Sequence, residues 1–312
     1  MISVQRFRRE DAQLWNAFVA NSVNGTFLFD RGFMDYHADR FDDHSLIFLR
    51  EGKCLGLLPA DLADGVLRSH GGLTYGGIVV APRTGAGTVL EMFDALMLYA
   101  KHNGISKIVY KPVPTMYHTI PTEHDRYALF RHDALLARSD LSTAVWLAAP
   151  QKISTSRRQS ARRAAKGEIM VHHATDWARF WVLLTEVLDE HHNVTPTHSL
   201  EETTTLAARF PQKIKLYIAA PPDGSIQAGA VVFDCGDTVH AQYLAASRLG
   251  RETGALNAVI IALLEQHFHD RRWFDFGIST EQAGQILNTG LLEQKEMFGG
   301  TTQTYEQFHV SI

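Results

Sequence analysis

The order of predicted elements repeats along the chain, and this repetition constrains the fold more than any single motif. In each copy, alternating residues predict three strands, an amphipathic stretch predicts a helix, and a short apolar segment predicts a returning strand. In the N-terminal copy these segments are Ser45 to Leu49, Cys54 to Leu62, Thr74 to Val80, Gly87 to Lys101 and Ile105 to Tyr110. In the C-terminal copy they are Lys215 to Ala219, Ile226 to Asp234, Val239 to Ala246, Thr253 to Asp270 and Arg272 to Phe276. The spacing therefore predicts a mixed α+β fold that is duplicated.

The chain length agrees with two domains. A chain of 312 residues is longer than a single core usually grows, so two domains of about 150 residues are expected. Helices are predicted at the start of each copy, at Asp11 to Ala20, Arg31 to Ala38, Asp176 to Glu190 and Leu200 to Phe210. The last strand of the first copy is predicted at Leu141 to Leu147. We therefore place the boundary near Pro150, with domains at 1–150 and 151–312.

The overall composition narrows the classes of function. A net charge of -4 argues against a general nucleic-acid binder, so no nucleic-acid partner is predicted. The N-terminus lacks the apolar run of a secretory signal, and no window reaches the roughly 18 apolar residues of a membrane span. No Cys or His spacing matches a metal site, so no metal is predicted. These features predict a cytoplasmic protein.

The segment FDFGISTEQAGQILNTGLLEQKEMFGG, Phe274 to Gly300, places ionisable groups where a predicted strand opens into a loop. Asp275 lies at the strand end, Glu281 in the loop, Asn288 near a short helix, and Lys295 three residues before Phe298. Strand ends that open into loops are where α/β folds usually place their chemistry. This segment resembles the C-terminal signature of the FemAB-like branch of the GNAT-type acyltransferases.

The resemblance covers most of the chain, beginning near NSVNGTFLFDRGFMDYHADRF, Asn21 to Phe41. It implies two tandem GNAT-like domains with mixed, largely antiparallel sheets flanked by helices. The relatives include enzymes that use an acyl-CoA to acylate the amino group of a nucleotide-linked deoxyamino sugar for surface polysaccharide such as O-antigen. The implied activity is therefore direct acyl transfer in a ternary complex, from acetyl-CoA or 3-hydroxybutyryl-CoA to a dTDP- or UDP-linked amino sugar.

The catalytic candidates follow from this chemistry, which needs a neutral amine, donors for an oxyanion and a proton route. Asp275 or Glu281 is the candidate for orienting the amine or accepting its proton, and His70 is a rival. The resemblance assigns Lys295 to the stabilisation of developing negative charge. Backbone N–H groups of Val239 to Ala246 would serve as oxyanion donors if that strand splays or bulges as in GNAT folds.

In GNAT-type enzymes, a loop of the form (Arg/Gln)-x-x-Gly-x-(Gly/Ala) holds the pyrophosphate of coenzyme A at a helix N-terminus. Ser247 to Ala255 occupies that junction in the second copy and fits the pattern in part. The predicted cofactor-binding residues are Tyr243, Arg248, Gly250, Arg251, Gly254 and Ala255. Arg83 to Gly87 is the corresponding, shorter loop of the first copy, and packed turns with helix caps are the structural alternative for both.

Three further segments supply candidates for contact with the acceptor. SHGGLTYGG, Ser69 to Gly77, carries four glycines that let the backbone approach a ligand closely. KPVPTMYHTIP follows a predicted strand, and DEHHNVTPTHSLEE connects two predicted helices through a capping box. The predicted substrate-binding residues are Ser69, Gly71, Thr74, Tyr75, Lys111, Tyr117, His198 and Asn288. We expect SHGGLTYGG to form one wall of a cleft and the C-terminal segment the other.

Two other functions remain open at this stage. FemAB proteins proper transfer an amino acid from aminoacyl-tRNA to a peptidoglycan precursor, typically with extra tRNA-binding surface such as a helical hairpin, and no such charged helical pair is predicted here. The basic helix around Arg158, Arg162 and Lys166 could meet phosphates of coenzyme A, a diphosphate or tRNA, or could simply face solvent. The third alternative is a non-catalytic protein that binds a sugar nucleotide or a protein partner. The sequence also leaves the oligomeric state open, including a homo-oligomer.

Overall fold

A computed structural model describes residues 1–150, 152–192 and 195–312 of the chain. The α-helices are α1 Ala12–Ala20, α2 Arg31–Met34, α3 Ala86–His102, α4 His124–Arg131, α5 Thr155–Lys166, α6 Trp177–His192, α7 Leu200–Arg209, α8 Arg248–Thr253, α9 Ala255–Ala262 and α10 Thr289–Glu296. The strands are β1 Ser3–Arg6, β2 Leu46–Arg50, β3 Lys53–Leu58, β4 Asp61–Ala63, β5 Val66–Arg68, β6 Val79–Val80, β7 Lys107–Tyr110, β8 Leu135–Trp146, β9 Met170–Ala174, β10 Ile214–Ala220, β11 Ala228–Asp234, β12 Thr238–Ala246, β13 Trp273–Ile278, β14 Thr280–Glu281, β15 Ile286–Leu287 and β16 Thr301–Ser311.

The chain folds into two compact units. The first contains Met1–Leu141, Thr280–Ile286 and Thr304–Ile312, and the second contains Ser142–Ser279 and Leu287–Gln303. The first segment therefore ends nine residues before the position proposed from the sequence near Pro150. Two short C-terminal segments belong to the first unit because, for example, β16 pairs with β7 there.

The first unit combines two sets of strands with the amphipathic helix α3. Strands β1, β2, β3 and β6 form an antiparallel sheet in that order, whereas β5 and β7 pair in parallel. The buried face of α3 includes Val89, Met92, Phe93 and Leu96, whose spacing of three and four residues is that of an amphipathic helix. These side chains join Leu46 and Phe48 of β2 in one apolar core.

Two predicted strands of the first unit differ from the structure. The strand predicted at Thr74 to Val80 is limited to β6, so the prediction is wrong over its first five residues. Gly77 has a φ of 84°, a left-handed conformation that interrupts an extended strand, and a side chain at Gly76 would collide with the Ser69 carbonyl. The strand predicted at Cys54 to Leu62 is broken between β3 and β4.

The second unit contains an antiparallel run of strands that ends in a parallel pair. Strands β9, β10, β11 and β12 are antiparallel neighbours, β13 lies parallel to β12, and Ser142–Trp146 of β8 pairs antiparallel with β13. The connection from β12 to β13 runs through α8 and α9, and the apolar face of α9 packs on this sheet. The α+β class with mixed, largely antiparallel sheets flanked by helices is confirmed.

The predicted helix from Thr253 to Asp270 has three parts in the structure. Gly254 has a φ of 87° and separates α8 from α9, and a π-helical turn at Leu263–His267 follows α9. The edge strand β9 was not predicted, because its sequence MVHHA shows no clear alternation and its histidines are exposed. Within the residues described, no helix has both the length and the apolar character needed to cross a membrane.

Candidate functional site

A polar pair lies where the parallel strands β12 and β13 separate. The two strands pair over three positions, Thr238 with Trp273, Val239 with Phe274, and His240 with Asp275. Beyond this last pair, β12 continues beside β11, whereas β13 continues beside β8. Opposed residues of neighbouring strands lie on the same face of a sheet, so the imidazole and the carboxylate meet at the point of separation.

Asp275 is fully buried, and both of its carboxylate oxygens accept hydrogen bonds. The Ser142 hydroxyl and the Gly277 N–H donate to Oδ1 at 2.6 Å and 3.0 Å. The His240 Nδ1 lies 2.7 Å from Oδ2. Gly277 has a φ of 75°, which lets the chain turn back so that its N–H reaches the carboxylate two residues earlier. A buried carboxylate with this many donors is well compensated.

Lys295 holds the end of β13 in place. Its ammonium donates to the Gly277 and Ile278 carbonyls, both at 2.8 Å, and to the Ser279 hydroxyl at 2.9 Å. Burial lowers the pKa of Lys295 from 10.5 to about 8, while the charge of Asp275 acts in the opposite direction. The three contacts match the three donors of an ammonium, so its observed role is to hold this segment. Contact between Lys295 and a reaction intermediate stays a prediction.

The strand proposed to supply oxyanion donors carries an irregularity. Tyr243 pairs with Val231 and Ala241 pairs with Val232, so the register between β11 and β12 skips Gln242. Such a bulge turns successive N–H groups out of the regular ladder and increases the local twist. The geometry that this proposal required is therefore present two residues beyond His240. Its use by a substrate stays a prediction.

Tyr243 and His198, predicted for the cofactor and the substrate, lie in contact with each other. The Tyr243 hydroxyl is 2.8 Å from His198 Nδ1 and accepts a hydrogen bond from the His198 N–H at 3.1 Å. The Trp181 ring packs edge-on against the Tyr243 ring. Burial raises the pKa of Tyr243, so its hydroxyl remains protonated at neutral pH. The pair fixes the loop before α7, which begins with the capping box of Ser199 and Glu202.

The predicted coenzyme A loop is wrong as a loop, because Arg248–Thr253 forms the helix α8, and close packing accounts for the small residues of this segment. A side chain at Gly250 would lie 2.0 Å from the Gln227 carbonyl oxygen, and one at Gly254 would lie 2.3 Å from that of Ser160 in α5. Ala255 is fully buried. Arg251 donates to the Ala246 carbonyl, whereas Arg248 is exposed and pairs with Glu252. The role of these residues in binding coenzyme A stays a prediction.

The corresponding loop of the first unit is open. Side chains added at Gly85 or Gly87 would meet no atom within 4 Å, and the N-cap Gly85 provides no side-chain cap for α3. Arg83 precedes these glycines with a φ of 68°. The N-terminus of α3 is thus accessible, whereas that of α9 is packed against α5.

The first unit brings several predicted acceptor residues together beneath the segment Ser69 to Gly77. The Lys111 ammonium donates to the carbonyls of His70, at 2.9 Å, and of Leu73. The Lys111 N–H donates to the Ser69 hydroxyl at 2.7 Å. Burial lowers the pKa of Lys111 to about 8, with Asp61 opposing this shift. His70 is buried against Phe41, so these groups stabilise the loop from within.

The two predicted tyrosines belong to an aromatic cluster of the first unit. Tyr75 is buried, its ring packs against Tyr117, and its hydroxyl bonds to Thr26. The Tyr117 hydroxyl lies 3.0 Å from that of Tyr305. Thr74 and Gly71 remain exposed on the same segment. Of the predicted acceptor residues on this segment, these two are thus the accessible ones, and their contact with a substrate stays a prediction.

The remaining predicted residues have simpler surroundings. Asn288 is the N-cap of α10, and its side chain accepts a hydrogen bond from the Leu291 N–H. Glu281 is exposed on β14. No group of three or more His, Cys, Asp or Glu side chains that could hold a metal occurs within the described part of the chain.

Sequence reasoning missed His240 and Ser142. His240 lies 35 residues before Asp275, and Ser142 lies 133 residues before it. Locally, His240 is only one of several polar residues within the predicted strand Val239 to Ala246. An isolated histidine on a strand is not specific enough to identify a site.

Known proteins resemble this chain in fold but not in sequence. No protein-family model and no curated protein sequence matches the chain. The crystal structure of FemX matches with a TM-score of 0.73 at 12% identity, over 99% of this chain and 97% of that chain. This protein has a FemX-like fold.

The fold is also similar to that of L-PGS from Bacillus licheniformis, with a TM-score of 0.62 at 12% identity, over 96% of this chain and 91% of that chain. A C-terminal domain from a proposed lysylphosphatidylglycerol synthetase of Agrobacterium fabrum matches with a TM-score of 0.61 at 12% identity, over 97% and 92% of the two chains. The similarity thus extends over nearly the whole α+β fold, and its description as two tandem GNAT-like domains stays a prediction.

Proposed function

We propose that the protein is an acyltransferase that forms an amide by moving an activated acyl group onto an amine. The observation that carries this proposal is the polar cluster of His240, Asp275 and Lys295, built where β12 and β13 separate in a FemX-like fold. Separated strands expose backbone N–H groups beside ionisable side chains. Amide formation by direct attack needs that combination, since it requires oxyanion donors, orientation and a route for one proton.

The reaction would use the residues of this cluster in distinct ways. N–H groups near the bulge at Gln242 would donate to the acyl oxygen as negative charge develops on it. The ion and hydrogen-bond network around Asp275 would hold the proton route in a fixed geometry. Lys295 would keep the end of β13 rigid, which preserves that geometry during turnover.

As the acyl donor we propose acyl-CoA, and as the acceptor a nucleotide-linked amino sugar. The sequence resemblance supports this pair. The preferred pyrophosphate site stays the segment Ser247 to Ala255, which lies in the same unit as His240 and Asp275.

Aminoacyl-tRNA is the second candidate donor, and the similarity to FemX favours it. The sequence predicts no helical-hairpin insertion of the kind that often provides extra tRNA-binding surface. Since the match covers 97% of the FemX chain, a large additional segment does not separate this protein from FemX. Arg158 and Arg162 line a surface cavity of about 370 Å³ beside α5 and α9, where they could contact phosphates.

A product assay with both donors tests the proposal. The purified protein would be incubated with acetyl-CoA or 3-hydroxybutyryl-CoA and a panel of dTDP- and UDP-amino sugars, and separately with charged tRNA and a peptidoglycan precursor. Mass spectrometry would detect the acylated product, and thermal shift would report binding. At 100 times the dissociation constant, a ligand stabilises the fold by about 2.7 kcal/mol.

The outcomes separate the functions. An acylated amino sugar that requires acyl-CoA supports the first donor. An aminoacylated precursor that requires charged tRNA, with binding that weakens steeply as salt rises, supports the second. Binding of a sugar nucleotide with no product from either donor would replace the enzyme with a non-catalytic binding protein.

A further inference from the structure

We infer that His240 accepts the proton of the attacking amine, with Asp275 and Ser142 as the residues that position its imidazole. This inference rests on the proposed function and assigns a residue within the same site. It differs from the sequence-based assignment, which gave the proton to Asp275, Glu281 or His70.

The surroundings of Asp275 exclude it as the direct base. It is fully buried, its Oδ1 receives two hydrogen bonds, and its Oδ2 faces His240. An amine could reach the carboxylate only by displacing one of these partners. Glu281 is exposed on β14, where burial does not favour the role of a base, and His70 is buried beneath its own loop. The carboxylate is therefore placed to act through the imidazole.

The contact between His240 and Asp275 determines which nitrogen of the imidazole is basic. An ionised carboxylate only accepts hydrogen bonds, so the Nδ1 atom at 2.7 Å must carry the hydrogen. In the neutral imidazole the lone pair then lies on Nε2. The side chain of His240 is 15% exposed, whereas that of Asp275 is 0% exposed. Of the two side chains, the imidazole is thus the more accessible one.

Ser142 fixes the carboxylate from the neighbouring strand β8. Its hydroxyl is fully buried, and its hydrogen bond to Oδ1 leaves Oδ2 directed at His240. The Gly277 N–H supports the same oxygen. The charged groups near the imidazole include Asp275 itself and, beyond it, the Lys295 ammonium on α10, on which the charge of Asp275 acts. Such a second set of contacts usually sets the orientation and basicity of a histidine.

The step balances without another reactant. The amine nitrogen forms a bond to the acyl carbon, and its proton moves to His240 Nε2, which leaves an imidazolium held by Asp275. The bond from the acyl carbon to the sulfur or oxygen of the carrier then breaks. The imidazolium returns the proton to that leaving atom, which gives the amide, a thiol or alcohol, and a neutral imidazole.

Substitution of His240 tests the assignment in the active full-length protein. His240→Asn keeps an N–H that can reach Asp275 but removes the basic nitrogen. We expect kcat to fall by roughly 10²- to 10⁴-fold with a small change in KM, and the acidic limb of the pH–rate profile to disappear. His172→Asn, at an exposed position on β9, is the matched control and should retain the wild-type rate and profile.

A second measurement does not depend on turnover. The His240 imidazole would be titrated by NMR in the wild type, Ser142→Ala and Asp275→Asn, with melting curves to confirm folding. We expect Asp275→Asn to move the His240 titration to lower pH, because it removes the negative charge that favours imidazolium. Ser142→Ala should change the titration less and lower kcat by a smaller factor.

The results distinguish failure of this inference from failure of the proposed function. If the wild type acylates an amine while His240→Asn retains both rate and pH profile, His240 is not the base. An unchanged His240 titration in folded Asp275→Asn would likewise remove the coupling on which the inference depends. If the wild type forms no product with either donor, the proposed function fails, whatever the titrations show.

Discussion

Each unit buries a lysine beneath a loop, but the two units surround the neighbouring carboxylate with different partners. Lys111 donates to the carbonyls of His70 and Leu73, and Lys295 donates to those of Gly277 and Ile278. In the first unit, Asp61 is held by the Arg68 guanidinium through two hydrogen bonds. In the second, Asp275 faces an imidazole.

The partner of the carboxylate decides whether such a cluster only stabilises the fold or can also transfer a proton. An arginine stays charged at every accessible pH, so the pair of Asp61 and Arg68 can only hold the loop. Histidine is the side chain whose charge changes near neutral pH, so the pair of His240 and Asp275 can move a proton. The same residue types at a strand end therefore support different roles, depending on the partner of the carboxylate.

The largest effect should come from removal of the two carboxylates. Asp61→Ala leaves the partly exposed Arg68 guanidinium and the Gly71 N–H without their acceptor, and we expect the free energy of unfolding to fall by about 1.5–3 kcal/mol. Asp275→Ala leaves the Ser142 hydroxyl, the Gly277 N–H and the His240 imidazole without theirs, and a buried group left unpaired costs about 1–3 kcal/mol. Urea denaturation of both variants measures the two losses. An unchanged free energy of unfolding in either variant would show that its carboxylate does not stabilise the fold.

Acid pH should destabilise the folded protein through the buried His118. Burial lowers the pKa of His118 from 6.5 to about 4, and the ring bonds to the Val113 carbonyl rather than to a carboxylate. The folded state then binds fewer protons than the unfolded state between these values. The free energy of unfolding should therefore fall by up to about 3 kcal/mol as pH drops from 6.5 towards 4. His118→Gln should flatten this dependence, and an equally steep decline in that variant would assign it to other groups.

Substitution of the two lysines should separate stability from activity. Lys111→Met and Lys295→Met each leave buried carbonyls without a donor, and we expect each to lower the free energy of unfolding by about 1–3 kcal/mol. Lys295→Met should also lower kcat, because the segment it holds presents the Gly277 N–H to Asp275. Lys101→Met, at an exposed site on α3, should stay within about 0.5 kcal/mol of the wild type. Undiminished turnover in folded Lys295→Met would restrict Lys295 to stability.

The smallest effects concern the two helix N-termini. Gly254→Ala requires a left-handed alanine whose side chain would collide with Ser160, and it should cost about 1–2 kcal/mol or more. Gly85→Ala meets open space at an N-cap with ordinary backbone angles, so a cost near or below 1 kcal/mol is expected. Thermal denaturation of both variants compares the packed junction with the open one. Equal costs would show that the N-terminus of α3 is as tightly constrained as that of α9.

Sequence reasoning predicted much of the fold and part of the site. The strands β10, β11 and β12 and the helix α3 follow from local alternation and amphipathic spacing, and their positions are confirmed. The prediction failed at Thr74 to Ile78, where contacts with Lys111 and Ser69 bend a segment that alternation alone makes extended. Asp275 was found because it ends an apolar strand. His240 was missed because its partner comes from a strand reached only after α8 and α9.

By itself, the sequence determined that the protein is an α+β chain, because hydrophobic periodicity and turn residues act over short distances. It also located ionisable groups at the end of β13. Only the tertiary structure decided what those groups can do. The parallel pairing of β12 with β13 places His240 beside Asp275, and β8 adds Ser142 from 133 residues away. A carboxylate takes its role from the partners that surround it after folding, and strand pairing over long sequence separations selects those partners.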